Sequence, residues 1–183
     1  MLVLASSSPQ RRAILERLGV EFVQRPSGIA ELKRGDPAAI ARENALRKAR
    51  AARLAGAEES VLGCDTLVAL GGVVYGKPLD ESDARTTLGA LSGVRHEVLS
   101  GLALLEGSRE LTAVARTAVT FRELSDELID WYLATGEWRG RAGGYAIQGA
   151  GAALVRSVEG DYENVVGLPL ATLLDLYPEL LNG

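Results

Sequence analysis

The chain of 183 residues is predicted to fold as one α/β domain in which helices flank a mixed, twisted sheet. Three observations favour this class. Apolar strand-like runs alternate with helical stretches that begin at capping residues. The Gly71-Gly72 pair between two apolar runs predicts an antiparallel hairpin. A composition of 47% hydrophobic and 24% charged residues suits one globular domain, or two lobes that share a core.

The first elements are predicted to be a buried strand, a tight loop and a helix. Residues 2–5 are apolar, and three serines follow them. Ser8 is the expected N-cap of a helix with Pro9 at its first position, and Gly19 is expected to end that helix. The stretch 21–34, which contains a proline and a glycine, is predicted to be irregular.

The middle of the chain is predicted to hold a long helix and a hairpin. Asp36 and Pro37 begin an alanine-rich helix that runs to about residue 54, and Gly56 follows its end. The apolar run 61–70 then predicts a strand that turns at Gly71-Gly72 into a second strand.

The C-terminal half is predicted to mix helices and strands. In order, we expect a helix capped by Asp80 and ending near Gly93, strands over 98–105 and 111–121, a helix from Ser125 to Gly136, a glycine-dense stretch over 140–151, a strand over 152–158, and a terminal helix over 168–181 whose last turn Pro178 interrupts.

Composition also bounds the partners and the compartment. The formal net charge is −4, so no basic excess favours nucleic acid or an anionic membrane, and an anionic ligand must meet a local cluster of cations. Cys64 is the sole cysteine, which excludes an internal disulfide and suits the reducing cytoplasm. No signal peptide or membrane-spanning run is expected.

The strand, serine loop and helix at the start form a candidate phosphate site. Backbone N–H groups at the helix start, the hydroxyls of Ser6, Ser7 and Ser8, and the guanidinium of Arg11 or Arg12 are expected to converge there. In the structural alternative, the serines only cap the helix and the arginines are solvated.

Asp65 is the second candidate, because it interrupts an apolar strand where an ionised carboxylate needs a partner or a metal. If Gly71-Gly72 is the turn, Thr66 lies opposite Lys77, and Lys77 then lies beside Asp65. The alternatives are an Asp at a solvent-exposed strand end and a purely structural Asp65–Lys77 pair.

Three further residues are weaker candidates. Lys48 lies on one helical stripe with Ile40 and Asn44, which predicts that it faces the sheet. Glu31 is a possible second carboxylate for a divalent cation, and the Gln148 amide can pair with the edge of a base. A surface lysine, a solvated loop acid and a plain glycine-rich turn are the corresponding alternatives.

Two familiar kinds of site are excluded. His96 is the sole histidine, so a histidine-cluster metal site is impossible, and we interpret His96 as structural. The sequence contains no G-x-x-x-x-G-K-[ST] phosphate-binding loop.

Taken together, these segments resemble the Maf family of nucleotide pyrophosphatases over nearly the whole chain, as a single domain over 1–183. The matching stretches are LASSSPQRR, GIAE, the Lys48-Ala49 pair, LGCDTLV, YGKP, LSGVRHEV, GRAGGYAIQG and EGDYENVVGLPL. The resemblance implies a fold related to the inosine triphosphatases, with a cleft between two lobes and often a homodimer. It also implies hydrolysis of a nucleoside triphosphate to the monophosphate and pyrophosphate with a divalent cation, Mg²⁺ or alternatively Mn²⁺.

The resemblance also implies roles for individual residues. Asp65 would be the proton acceptor, and Asp65 with Glu31 would hold the metal. The remaining groups would bind the substrate: Ser7, Gln10, Arg11, Arg12, Lys48, Thr66, Lys77 and Gln148. Of these, Thr66 and Gln148 fall where the family tunes substrate choice, and the YAIQG form is similar to the branch that acts on dTTP and UTP.

The chain departs from the family pattern at three places. Gln10 stands where the family usually has the first arginine of SPRR, unless Arg12 compensates one position later. Arg141 replaces the usual lysine before Ala-Gly, and GIAE lacks the acidic residue that often precedes its glutamate.

The sequence therefore predicts hydrolysis of dTTP and UTP. Two alternatives remain open at this point: a housecleaning pyrophosphatase for modified or purine nucleotides, and a nucleotide-binding regulator of cell division. Whether Asp65 acts as a general base or chiefly as a metal ligand is also open.

Overall fold

The computed structural model describes residues 1–56 and 58–181, and the strands within them form one seven-stranded mixed sheet. The strands are β1 Leu2–Leu4, β2 Phe22–Gln24, β3 Ser60–Leu70, β4 Val73–Tyr75, β5 Arg95–Glu106, β6 Arg109–Phe121 and β7 Val155–Glu159. Their order is β2-β1-β3-β5-β6-β7, and β4 pairs with β3. Strands β2, β1 and β3 run parallel and the other pairs are antiparallel, which confirms the predicted mixed α/β class.

Six α-helices are present among the described residues. They are α1 Pro9–Arg17, α2 Pro37–Ala52, α3 Glu81–Leu91, α4 Asp126–Ala134, α5 Tyr162–Val166 and α6 Leu170–Leu176. The predicted N-caps are confirmed: the side chains of Ser8, Asp36, Asp80 and Ser125 accept hydrogen bonds from backbone N–H groups in the first turns. Within the described residues, no helix has the length and apolarity needed to cross a membrane.

Helix α2 covers one face of the sheet at unusually close range. Side chains alternate between faces along a strand, so Gly63 and Asp65 of β3 point to the same side. A Cβ atom on Gly63 would lie 2.1 Å from Ala45 O, and one on Gly101 of β5 would lie 2.1 Å from Ala41 O. These two glycines let the helix backbone lie almost directly on the sheet, which brings side chains of α2 within reach of Asp65.

The opposite face is covered by two separate groups of elements. One apolar cluster joins α1 and α6 to β1 and β3, through residues such as Ile14, Leu62 and Leu173. The other joins α3, α4 and the glycine-dense segment to the far ends of β3, β5 and β6, through residues such as Leu88 and Tyr132. These two clusters correspond to the predicted lobes.

The hairpin has the predicted register, but it is short. Val68 pairs with Tyr75 and Leu70 with Val73, which is the register that a Gly71-Gly72 turn requires. The ladder ends at Tyr75, and Gly76 O then accepts a hydrogen bond from Gly143 N at 3.0 Å. Lys77 therefore does not face Thr66 across the hairpin, and that part of the prediction was wrong.

Three other expectations differ from the structure. The stretch predicted to be irregular contains the short strand β2. The last strand begins at Val155 instead of residue 152. A short helix that was not predicted, α5, precedes the terminal helix and ends at Gly167, whose φ is 134°. The terminal helix itself is α6, and Pro178 separates it from the 3₁₀ turn Pro178–Leu181, as predicted.

Candidate active site

A gap in the sheet edge forms the centre of the site. Pairing of β1 with β3 stops near Leu62, where Ala5 N donates to Leu62 O at 2.8 Å, and β4 pairs with β3 only from Val68 onward. Between these points, the described strands leave this edge of β3 uncovered. A cavity of about 520 Å³ opens there, and its lining draws on both lobes. Asp65 and Thr66 are therefore both reachable, although they point to opposite faces of the sheet.

The serine loop and the start of α1 form one wall of this cavity. Ser7, Gln10 and Arg11 all line it. Arg11 is only 8% exposed, and its guanidinium donates through Nε to Gly167 O at 2.8 Å and through Nη1 to Ser6 Oγ at 2.9 Å. A third bond goes from Nη2 to Thr66 Oγ1 at 3.1 Å. Three of its five N–H groups are thus engaged, which leaves two for an anion in the cavity.

The structure does not bring Arg12 to the cavity. Its guanidinium pairs with Glu16, one turn further along α1, at 2.7 Å, and both side chains are more than half exposed. One residue along a helix rotates a side chain by about 100°, so burial of Arg11 turns Arg12 outward. Arg12 therefore does not stand in for the family arginine that Gln10 replaces.

Asp65 lies at the centre of a buried polar network. It is 3% exposed; Oδ1 accepts from Lys48 Nζ at 2.5 Å, and Oδ2 accepts from Asn44 Nδ2 at 2.9 Å. Lys48 Nζ also donates to Glu31 Oε1 at 2.6 Å. The stripe on α2 is therefore placed as predicted, but the ion-pair partner of Asp65 is Lys48. The suggested Asp65–Lys77 pair is not formed, since Lys77 makes no ion pair with any residue that the structure describes.

Glu31 is held in its charged form by this network. Burial alone would raise the pKa of its carboxyl, but the hydrogen bond and charge of Lys48, together with the charges of Lys77 and Arg11, outweigh burial and lower the pKa below its ordinary value. The lowered pKa keeps the carboxylate ionised, the form that binds cations.

Asn44 was missed as a functional candidate. It is fully buried, and its amide accepts from Leu32 N at 2.8 Å and donates to Leu32 O at 3.1 Å as well as to Asp65. This ties the loop that carries Glu31 to the strand that carries Asp65. The sequence offered one sign of this role: Asn44 is a polar residue on the same helical stripe, with Ile40, from which we predicted that Lys48 faces the sheet.

The remaining predicted residues line the cavity in different ways. Thr66 Oγ1 lies 2.8 Å from Ser100 Oγ and accepts from Arg11, so this hydroxyl is engaged within the protein. Lys77 and the exposed Gln148 line the cavity. Two arginines also line the cavity and were not singled out as binding residues: Arg141 in the glycine-dense segment and Arg139 just before it.

His96 lies away from the cavity, in the core. Its Nε2 is 3.0 Å from Tyr145 Oη, and its ring packs edge-on against Phe121 and Tyr145. Burial lowers the pKa of His96 to about 4, so the imidazole is neutral at neutral pH. This placement agrees with the structural interpretation.

The carboxylates present fit a hard divalent cation such as Mg²⁺ bound together with substrate. Among the described residues, no group of three or more His, Cys, Asp or Glu side chains could form a complete metal cage. Mg²⁺ is typically held by one or two carboxylates plus phosphates and water, and each oxygen of Asp65 has a lone pair beyond its one hydrogen bond. Glu31 Oε2 accepts no hydrogen bond from the described residues.

The fold and the site define an α/β protein with a cation-rich cavity of about 520 Å³ around a buried carboxylate. The sequence model of the family described as "Maf-like protein" matches residues 1–180. The chain therefore belongs to the Maf family.

Named relatives are similar over almost their whole length. The Pyrococcus furiosus protein named dTTP/UTP pyrophosphatase is 45% identical over 177 residues, covering 96% of this chain and 93% of the relative. The protein of the same name from Symbiobacterium thermophilum is 48% identical over 189 residues, covering 100% and 97%. Among solved structures, the Ham1 protein of Staphylococcus aureus aligns with a TM-score of 0.47 at 17% identity, over 68% of this chain and 72% of that one.

Proposed function

We propose that the protein is a nucleoside triphosphate pyrophosphatase that hydrolyses dTTP and UTP to the monophosphate and pyrophosphate. The names of its relatives support the substrate class. The observation that carries the proposal is the buried Asp65 carboxylate, which Lys48 and Asn44 hold at the wall of a cavity lined by cations.

In this mechanism, Asp65 orients a water molecule and accepts its proton while the water attacks the α-phosphorus in line with the departing pyrophosphate. Lys48 and Asn44 each engage one carboxylate oxygen, so the orientation of Asp65 is set before substrate binds. The two free N–H groups of Arg11, together with Lys77, neutralise charge that builds on the leaving group.

Asp65 and Glu31 would hold a divalent cation, with Mg²⁺ expected and Mn²⁺ as the alternative. When bound, the cation supplies charge neutralisation at the phosphate oxygens. Lys48 lies between the two carboxylates and offsets their mutual repulsion, so they can lie together in the partly buried site.

Selection of the base is assigned to Gln148, with Gln10 nearby. Both amides line the cavity and also an adjoining apolar groove, and an amide both donates and accepts, as pairing with uracil or thymine requires. A polar site of this kind disfavours a wrong base, because amide groups that the bound base covers are then left unpaired.

A pyrophosphate-release assay over dTTP, UTP, CTP, ATP, GTP and 7-methyl-GTP, with Mg²⁺, Mn²⁺ or a chelator, tests the proposal. We expect kcat/KM to be highest for dTTP and UTP, and we expect the chelator to abolish turnover. In Gln148→Ala, the preference for dTTP and UTP over ATP and GTP should fall by a larger factor than the rate with the best substrate. A preference for GTP or its 7-methyl form would contradict the substrate assignment. Nucleotide binding without turnover would instead support a regulatory protein.

The cytoplasm as compartment and a homodimer as assembly complete the proposal. A lone buried thiol, Cys64, suits a reducing compartment, and the family resemblance supports the dimer. Light scattering of the purified protein tests the assembly, and a monomeric mass would contradict it.

A further inference from the structure

The glycine-dense segment presents a second cationic wall to the cavity. Gly143 N donates to Gly76 O at 3.0 Å, which ties this segment to the chain immediately before Lys77. Gly143 also packs closely on Val68, because an added Cβ would lie 2.8 Å from that side chain. Arg141 is therefore held at the cavity by a segment anchored both to the Lys77 loop and to β3.

The guanidinium of Arg141 has no partner within the protein as described. Its Nε is inaccessible to solvent and makes no hydrogen bond, and the described residues include no carboxylate paired with Arg141. Arg11, in the same cavity, donates three hydrogen bonds to the protein. Arg141 also lines the cavity, so a guanidinium that no described carboxylate neutralises is available there to an anionic ligand.

The charge balance of the cavity indicates the sign of that ligand. Among the described residues, the cationic lining groups are Arg11, Lys48, Lys77, Arg139 and Arg141, and the acidic ones are Glu31 and Asp65. Both acids are already paired with Lys48. The surplus of positive charge lies on the remaining cations, in a protein whose net charge is −4. The unpaired groups therefore favour an anion with several negative charges.

We propose that Arg141 is a substrate-binding residue that donates its guanidinium fork to the phosphates released as pyrophosphate. The inference rests on the proposed function, because it assigns a further residue to the same cavity. Arginine's planar fork binds phosphate oxygens in pairs, and Arg141 shares its wall with Lys77. Arg139 is exposed and stacks on Trp138, with its guanidinium carbon 4.5 Å from the ring centre, so it contributes less.

Calorimetric titration with inorganic pyrophosphate tests this assignment without requiring turnover. We expect Arg141→Ala to weaken pyrophosphate binding about tenfold or more, because charge-assisted hydrogen bonds are lost. Arg156→Ala is the matched control: it removes the same charge from an exposed position on β7 outside the cavity and should leave the Kd unchanged.

Thermal unfolding separates ligand binding from a structural role. Removing a donor that has no partner in the free protein should leave the Tm of Arg141→Ala unchanged or raised. If that variant fails to fold, Arg141→Gln, which keeps a polar side chain without the charge, is judged by the same titration. A pyrophosphate Kd less than fivefold weaker than that of the wild type in a folded variant would overturn the assignment.

The design also distinguishes this inference from the proposed function. If wild-type protein turns over dTTP while the folded Arg141 variants keep full pyrophosphate affinity, the assignment of Arg141 alone fails. If wild-type protein binds pyrophosphate, loses that binding on substitution of Arg141, and hydrolyses no nucleoside triphosphate, the proposed function fails and the phosphate-binding role of Arg141 stands.

Discussion

Replacing Gly63 by alanine should disturb the active site through the fold, without changing any polar side chain. Gly63 lies in β3, two residues before Asp65 and on the same face of the sheet. Its added Cβ would lie 2.1 Å from Ala45 O and 2.9 Å from Ala49 N, and both atoms belong to the backbone of α2. The helix cannot yield by rotating a side chain, so it must move away from the sheet.

The size of the effect follows from this distance. Ordinary Cβ contacts begin at 3.4 Å, so the helix would retreat by about 1.3 Å, and overpacking of this kind costs about 1–3 kcal/mol. Lys48 lies on the stretch of α2 that moves, and its Nζ is 2.5 Å from Asp65 Oδ1. A displacement of an ångström at a catalytic group lowers rates by about 100-fold.

Urea unfolding and pyrophosphate release from dTTP together measure the outcome. Gly89→Ala is the control: it lies inside α3, has no atom within 4 Å of the added Cβ, and should gain up to about 1 kcal/mol of stability with unchanged activity. If Gly63→Ala were as stable and as active as the wild type, the close approach of α2 would not be what sets the position of Lys48.

Three further predictions concern single side chains. Asn44→Ala removes the hydrogen bonds to Asp65 Oδ2 and to the Leu32 backbone, so kcat for pyrophosphate release should fall at least tenfold and should depend more steeply on the Mg²⁺ concentration. A change in Tm alone would show that Asn44 is purely structural. In the folded state, burial lowers the pKa of His96 from its ordinary 6.5 to about 4, so its contribution to stability of about 3 kcal/mol is complete above pH 6.5 and is lost as the pH falls towards 4. The free energy of unfolding in urea should therefore fall less between pH 7 and pH 4.5 for His96→Gln than for the wild type. Equal losses would refute this. Lys77→Ala should raise KM and lower kcat, and an effect on Tm without either would remove Lys77 from substrate binding.

Periodicity and capping chemistry predicted the parts of the fold that depend on short-range physics. The stripe of α2 placed Lys48 towards the sheet, and Gly71-Gly72 set the register of β3 and β4, because each pattern is local in sequence. The same register does not extend to Lys77, because the ladder ends at Tyr75. The next residue, Gly76, instead accepts a hydrogen bond from Gly143 N in a segment distant in sequence.

The parts that were missed depend on contacts between segments distant in sequence. Strand β2 has three residues and no clear alternation, so its partner β1 determines its conformation. Asn44 makes its three hydrogen bonds only because separate loops meet at the gap beside β3. The same meeting of loops places Arg141 at the cavity without a partner among the described residues. Composition alone required a local cluster of cations, but it could not say which arginines would form it.

The central claim, that Asp65 is the proton acceptor, is tested most directly by the rate of pyrophosphate release from dTTP by Asp65→Asn. Asparagine keeps the size of the side chain and removes its charge and basicity, so kcat should fall about 100-fold or more while the fold, checked by circular dichroism, survives. Asp80→Asn, at a helix cap outside the cavity where asparagine also caps well, should keep wild-type activity. Near-wild-type turnover by Asp65→Asn would contradict the mechanism.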